Sequence, residues 1–341
     1  MKRSFALCLS LCCASFALVA CKSGKETPTE NAAAAQAQPA KSGKRTIAYI
    51  QKQGDQQYFV DQAAGAQAEA AKLGVELKVS NVALDSNLAV STLETMIAQK
   101  VDGIAIVVPD QLIGPQVIDR AKQAGIPLVA SDDGIADAQK NPAPFVGFDG
   151  TAMGTEVGTK AGQLYKASGW KASDTRIISA SKQDLSVCQD RVNGAKKAFL
   201  EASGESGVKV IDLGTQNTPT DAQDKTAGVM TANRGVKHWV VWGCNDENVS
   251  GVVTALQNGN VDQKDIIGVG LGAYLACKDW KAGKTTGMKA ALFIDGHDVG
   301  AAAVKVLADS IQNKTPLPPK TIAKTHMVDS TNWEQAGVKC M

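Results

Sequence analysis

From Arg45 onward the chain repeats one beat. "RTIAYIQK" (45–52) is an extended apolar run, and "YFVDQAAGAQAEAAKLG" (58–74) is Ala-rich at helical spacing and closed by Gly. The pair recurs as "VELKVSN" with "NLAVSTLETMIAQK", then as "DGIAIVVP" with "QLIGPQVIDRAKQAG", before a fourth strand "IPLVASDD" and a fifth, "APFVGFDG". Strands that are apolar almost throughout, separated by helices, predict a parallel sheet covered on both faces. After the helix "AMGTEVGTKAGQLYKAS" the cycle restarts with "TRIISASK" (175–182) and runs through "VKVIDLG", "HWVVWGCND" and "DIIGVGLG", with helices around 187–203, 220–234 and 247–258. The restart predicts two doubly wound α/β domains of similar size rather than one long sheet. A strand "GMKAALF", a helix "GHDVGAAAVKVLADSIQ" and the extended "TPLPPKTIAKTHMV" complete the chain.

The N-terminus is of a different kind. Lys2 and Arg3 precede an apolar stretch from Phe5 to Ala20, which reads as a secretory signal peptide over 1–20. It ends Leu18-Val19-Ala20-Cys21, similar to the lipobox at which bacterial lipoproteins are acylated on Cys. Residues 21–44 carry no aromatic or large aliphatic side chain. Such a segment does not bury enough apolar surface to offset chain entropy, and reads as a disordered tether from a lipid anchor at Cys21.

Loss of Lys2 and Arg3 from 36 basic residues leaves them in balance with the 34 acidic ones, so neither nucleic acid nor an anionic surface is implied as a partner. Of eight Cys, three leave with the signal and Cys21 takes the lipid. Cys188, Cys244, Cys277 and Cys340 remain, at spacings that fit no zinc pattern. Three pairings are open to them in an oxidising exterior; a Cys188–Cys244 bond and free buried thiols fit equally well. With three scattered His, no metal or cofactor is expected.

In open α/β sheets, sites lie beyond the carboxyl ends of the strands. The residues there are Lys52, Gln56, Tyr58 and Phe59; Asp132 and Asp133; Phe148; Arg191; Cys244 and Asn245; and Gly272 with Tyr274. Carboxylates, amides, cations and rings of this kind suit a neutral, hydroxyl-rich molecule. The adjacent pair Asp132 and Asp133 lacks a partner for acid/base catalysis and lacks the regular oxygen spacing of a cation loop. Either could instead cap the following turn, as Asn245 could cap the helix after it. "GVGLGA" (268–273) does not have the spacing of a phosphate-binding turn.

"IAYIQKQ", "LVASDD", "AGQLYKASGW", "VKHWVVWGCNDENVSGVVTALQNG" and "DIIGVGLG", in that order, resemble the type I periplasmic solute-binding proteins of ABC importers, and within them the arabinose-binding group. The resemblance runs from about Thr46 to near the C-terminus. It implies two lobes joined by a three-segment hinge: 45–147 with about 294–324, and 148–293 with about 325–341. It further implies a ligand between the lobes, with Lys52 and Asn245 gripping hydroxyls, Tyr58 and Phe59 packing on the sugar in place of a Trp-Phe pair, Asp133 near the anomeric hydroxyl with Asp132 beside it, and Arg191 at the ring-oxygen side. Departures stand at Gly272, where the group has a second cleft Asn, and at Gln56, Val187 and Cys244, which replace Glu, Thr and Met. Arabinose itself is therefore less favoured than a monosaccharide of some kind, a pentose or a hexose.

The expected protein is a monomeric, lipid-anchored solute-binding protein in the periplasm or at the outer face of the cytoplasmic membrane. It would pass a monosaccharide to an ABC permease and perform no chemistry. A sensor presenting ligand to a membrane chemoreceptor or kinase, or a carbohydrate-active enzyme, would share much of this sequence.

Overall fold

The computed structural model describes residues 43–340; the expected signal peptide, Cys21 and nearly all of the tether lie outside the described residues. The first sheet takes its strands from β1 (Thr46–Gln51), β2 (Glu76–Asn81), β3 (Gly103–Ile106), β4 (Leu128–Ser131) and β5 (Phe145–Gly147), alternating with helices α1 (Gln57–Leu73), α2 (Ser86–Ala98) and α3 (Gly114–Gln123). Next come α4 (Gly150–Ser168), β6 (Thr175–Ser181), α5 (Ser186–Ser203), β7 (Lys209–Gly214), α6 (Pro219–Ala232), β8 (His238–Gly243), α7 (Asp246–Asn258) and β9 (Ile266–Gly272). A short helix, α8 (Ala276–Lys281), precedes β10 (Met288–Ile294), α9 (Gly296–Asn313), β11 (Lys320–Ile322) and β12 (Thr325–Val328).

These strands form two six-stranded sheets, ordered β11-β5-β4-β3-β1-β2 and β12-β10-β9-β8-β6-β7. Pairing is parallel throughout except for β12 against β10. The strand order is the same in both halves, as two copies of one βα plan would give. The chain crosses between sheets three times: through α4, which packs on the second sheet, through α9, which packs on the first, and between β11 and β12. The central strands are buried on both faces, which is why they read as continuous apolar runs rather than as alternation.

Local chemistry fixes the ends of the helices. Asp85, Asp149, Asn245 and Asp295 each accept a hydrogen bond from a backbone N–H of the helix they precede, α2, α4, α7 and α9. Gly74, Gly169 and Gly204 end α1, α4 and α5 in the left-handed conformation.

The α4–α5 contact is close enough to exclude side chains. A Cβ on Gly154 would stand 2.0 Å from the Arg191 carbonyl oxygen, and one on Gly158 would stand 2.1 Å from that of Ala195. The "GTEVGTKAG" stretch of α4 therefore seats α5 and fixes how far Arg191 stands from the rest of the second lobe.

Two disulfides, Cys188–Cys244 and Cys277–Cys340, close loops of 56 and 63 residues. The first ties α5 to the end of β8. The second ties the C-terminal tail to α8, a helix of six residues too short to announce itself by periodicity.

Candidate functional site

Parallel strands in both sheets end at one place. The residues after β1, β3 and β4 face those after β6, β7, β8 and β9 across a cavity of about 400 Å³, the size of a small-ligand pocket.

On the first lobe, Asp132 sits in left-handed backbone (φ 64), a conformation that Asp tolerates better than most residues. That turn separates the adjacent carboxylates. Asp132 accepts a hydrogen bond from the Tyr58 hydroxyl at 2.7 Å, whereas Asp133 forms an ion pair with Lys52. The Lys52 ammonium also lies 5.1 Å from the centre of the Phe59 ring. Behind them, the Tyr49 hydroxyl donates to Gln62 at 3.0 Å and meets Ser131 at 3.4 Å. Burial pushes the Asp132 carboxyl up, the neighbouring Asp133 charge adds to this, and Lys52 and Arg191 pull the other way. Burial also lifts the Tyr58 hydroxyl well above its ordinary value, so it is a fixed donor at neutral pH. Neither Asp caps a helix.

On the second lobe, Arg191 is 8% exposed and donates through Nη1 to the Cys244 carbonyl at 2.9 Å. Its Nε is buried with no protein partner among the described residues. Asn245 does two things at once: its oxygen caps α7 at the Asn248 N–H (3.1 Å), and its amide donates to the Asn217 carbonyl at 3.1 Å. Asn217 in turn accepts from Asn248 at 2.8 Å, and Thr215 donates to Asn248 at 2.6 Å. This chain of amides holds the β7 and β8 loops as one wall.

The lobes meet through Gln56, whose amide donates to Glu247 Oε1 at 2.5 Å and lies 3.4 Å from the Tyr274 hydroxyl. Tyr274 itself donates to Glu247 at 3.3 Å. The Glu247 carboxyl is pushed up to about 7, mainly by burial; Gln56 and Tyr274 oppose this and the Asp246 charge reinforces it. A second clasp joins Gln111, on the turn after β3, to Ser186 at the start of α5, with Ser186 Oγ donating at 2.9 Å.

Ten of the residues singled out from the sequence line this cavity: Lys52, Gln56, Tyr58, Phe59, Asp132, Asp133, Arg191, Cys244, Asn245 and Tyr274. Phe148 and Gly272 do not. The Phe148 ring is 4% exposed within the apolar cluster that includes Met153 and Val157, because the chain turns into α4 directly after it. Gly272 contributes by having no side chain: at φ 138, a Cβ there would stand 2.5 Å from the Tyr274 ring. Its bareness is what admits Tyr274 to the wall.

Sequence reasoning missed Glu247 and the β7 loop, Gln216 to Pro219. The same strand-end rule applied to β7 finds the loop. Glu247 lies one residue further into a helix, where a carboxylate normally reads as a dipole partner. No group of three or more metal-binding side chains occurs among the described residues.

Over residues 47–315 the chain matches the family described as periplasmic binding protein domain. It is 27% identical over 297 residues to the ABC transporter L-arabinose-binding periplasmic protein of Azospirillum brasilense, covering 84% of this chain and 87% of that one. Against the L-arabinose-binding periplasmic protein of Escherichia coli (strain K12) the identity is 23% over 300 residues, covering 87% and 90%. Among solved structures, an ABC transporter periplasmic solute binding protein from Actinobacillus succinogenes with bound D-allose superposes with a TM-score of 0.73 at 24% identity, covering 86% of this chain and all of that one. That likeness shows a shared fold.

Proposed function

The chain belongs to the periplasmic binding protein domain family, and from that premise we propose that it binds a neutral monosaccharide between its lobes and delivers it to an ABC permease in the cytoplasmic membrane. One observation carries the reading. A single cavity is walled from both sheets by planar amides, carboxylates, a guanidinium and aromatic rings, the groups that pair with vicinal hydroxyls and cover the C–H face of a sugar. The names of the arabinose-binding relatives, and the D-allose in the structural neighbour, point to the same chemical class.

In this reading Lys52, Gln56, Asp133, Arg191 and Asn245 hold hydroxyls, while Tyr58, Phe59 and Tyr274 shape the walls. In the same reading the lobes comprise 45–147 with about 294–324 and 148–293 with about 325–341. Only a closed cleft offers ligand both walls, so binding favours closure, and the closed form is what the permease would accept. No bond of the ligand is broken. Cys21 carries the lipid that keeps a monomer at the outer face of the membrane on its tether; Cys21→Ser should then move the protein from the membrane to the soluble fraction.

The test is a thermal-shift screen of residues 44–341 against pentoses, hexoses and amino acids. A ligand at one hundred times its Kd stabilises the fold by about 2.7 kcal/mol. A rise with a monosaccharide is expected; a rise with amino acids and none with sugars would overturn the reading.

A further inference from the structure

Glu247 is 8% exposed and lines the cavity. A carboxylate offers about four acceptor positions. Gln56 and Tyr274 both address Oε1, the Tyr274 hydroxyl also lies 3.4 Å from Oε2, and the backbone N–H of Glu247 itself bonds the carboxyl; these three donors leave one acceptor position over. Among the described residues no lysine or arginine forms an ion pair with it: Lys52 is taken by Asp133, and Arg191 Nη1 by the Cys244 carbonyl. Its neighbour Asp246 points the other way, accepting from the backbone N–H groups of Leu275 and Ala276. The cavity thus contains a buried acceptor with room for one more donor, held from both lobes.

We propose that Glu247 is a specificity-determining residue that accepts a hydrogen bond from one ligand hydroxyl at Oε2, so that the cleft takes neutral sugars presenting a donor at that wall and rejects sugar acids. The inference rests on the sugar-binding reading and adds a residue to it. Gly272 and Tyr274 belong to the same unit, because the bare glycine lets the tyrosine ring stand beside the carboxylate.

Proton linkage follows from the geometry. A hydroxyl donating to Oε2 stabilises the ionised form, and the Glu247 carboxyl is held up at about 7 before ligand arrives, so binding expels a proton near neutral pH. The other titratable or charged groups lining the cavity are Tyr274 after β9, Lys182 after β6 and Arg191 on α5 and, across the gap, Lys52, Asp55 and Tyr58 with Asp132 and Asp133; Asp246 stands beside Glu247 on α7. Asp132 is lifted too, but it already accepts from Tyr58 on its own lobe.

Titration calorimetry on the purified protein with L-arabinose, D-galactose, D-glucose and D-galacturonate, at about pH 5.5 and about pH 8 in buffers of different ionisation enthalpy, tests it. For the neutral sugar that binds best, affinity should fall roughly tenfold from the higher to the lower pH, with proton release near neutrality. D-galacturonate should not bind. Glu247→Gln should weaken binding about tenfold or more at the higher pH and flatten the profile. If E247Q binds the neutral sugar with unchanged affinity and an unchanged pH profile, or if D-galacturonate binds as well as D-galactose, the assignment of Glu247 is overturned while sugar binding stands. If no sugar binds the wild type, the functional reading itself falls. The pH profile and proton release of the wild type decide the matter even if E247Q does not fold.

Discussion

Arg191 and Cys244 form one unit: the guanidinium donates to the Cys244 carbonyl at 2.9 Å, and the Cys244 sulfur is bonded to Cys188, one turn before Arg191 on the same helix. The cation in the cavity is thereby fastened to the end of β8 at two points, one covalent. Cys188→Ser with Cys244→Ser should lower stability by up to about 4 kcal/mol, the chain-entropy value for a loop of this length. It should also weaken sugar binding, because α5 is released from β8. Replacing Cys277 and Cys340, which close a loop of similar length but do not themselves line the cavity, should cost comparable stability and leave affinity far less changed. Urea denaturation and calorimetry on the two double variants separate these effects.

The α4–α5 contact makes a second claim about Arg191. An alanine methyl at Gly154 would lie 2.0 Å from the Arg191 carbonyl oxygen, and a backbone atom does not swing aside as a side chain does. Gly154→Ala should therefore force the helices apart, at about 1–3 kcal/mol of stability, and move the guanidinium with them. Loss of affinity out of proportion to the change in melting temperature is the expected signature, compared with Gly228→Ala on α6, where a Cβ would meet nothing.

Much of this was legible in the residues, for identifiable reasons. Parallel strands buried on both faces are apolar along their length, and a strand followed by a capped helix has a recognisable rhythm, so the doubly wound architecture follows from pattern alone. Strand-end positions such as Lys52, Asp133 and Asn245 follow from topology. What did not follow depends on distances between remote segments. Cys188 pairs with Cys244 because α5 is pressed into place by α4, a fact of helix separation rather than of spacing along the chain. Phe148 looks like a wall residue until the turn into α4 buries it, and Gly272 looks like a lost amide until Tyr274 is seen to occupy the space.

Lys52 and Asp133 are a second coupled pair, with side chains 14% and 2% exposed. Removing one member of such a buried pair leaves the other unpaired and costs about 3–5 kcal/mol. Asp133→Asn should thus destabilise strongly. Combined with Lys52→Met it should destabilise by less than the sum of the two single changes, with a coupling of about 1–3 kcal/mol. Additive effects in the double-mutant cycle would show that the pair is not coupled. All three variants should lose sugar affinity.

Stability should also carry the mark of the two adjacent carboxyls at the start of α7, Asp246 and Glu247. In the unfolded chain Asp246 and Glu247 titrate near ordinary values of about 4; in the folded protein burial raises them to about 6 and about 7. Between those limits the folded state binds more protons than the unfolded one, so stability falls as pH rises from about 4 to about 7. The loss is complete above that window and absent below it. Glu247→Gln removes one of the two charges. It should therefore raise the melting temperature at pH 8, by a stability increment on the order of 3 kcal/mol, and leave it almost unchanged at pH 4. Melting curves of wild type and variant across that range, without sugar, measure the difference directly; a pH-independent gap between them would mean that Glu247 is not ionising where its burial dictates. A stabilised variant that binds sugar less well is the combination a buried binding group produces, since the charge that weakens the empty fold is the one that grips the ligand.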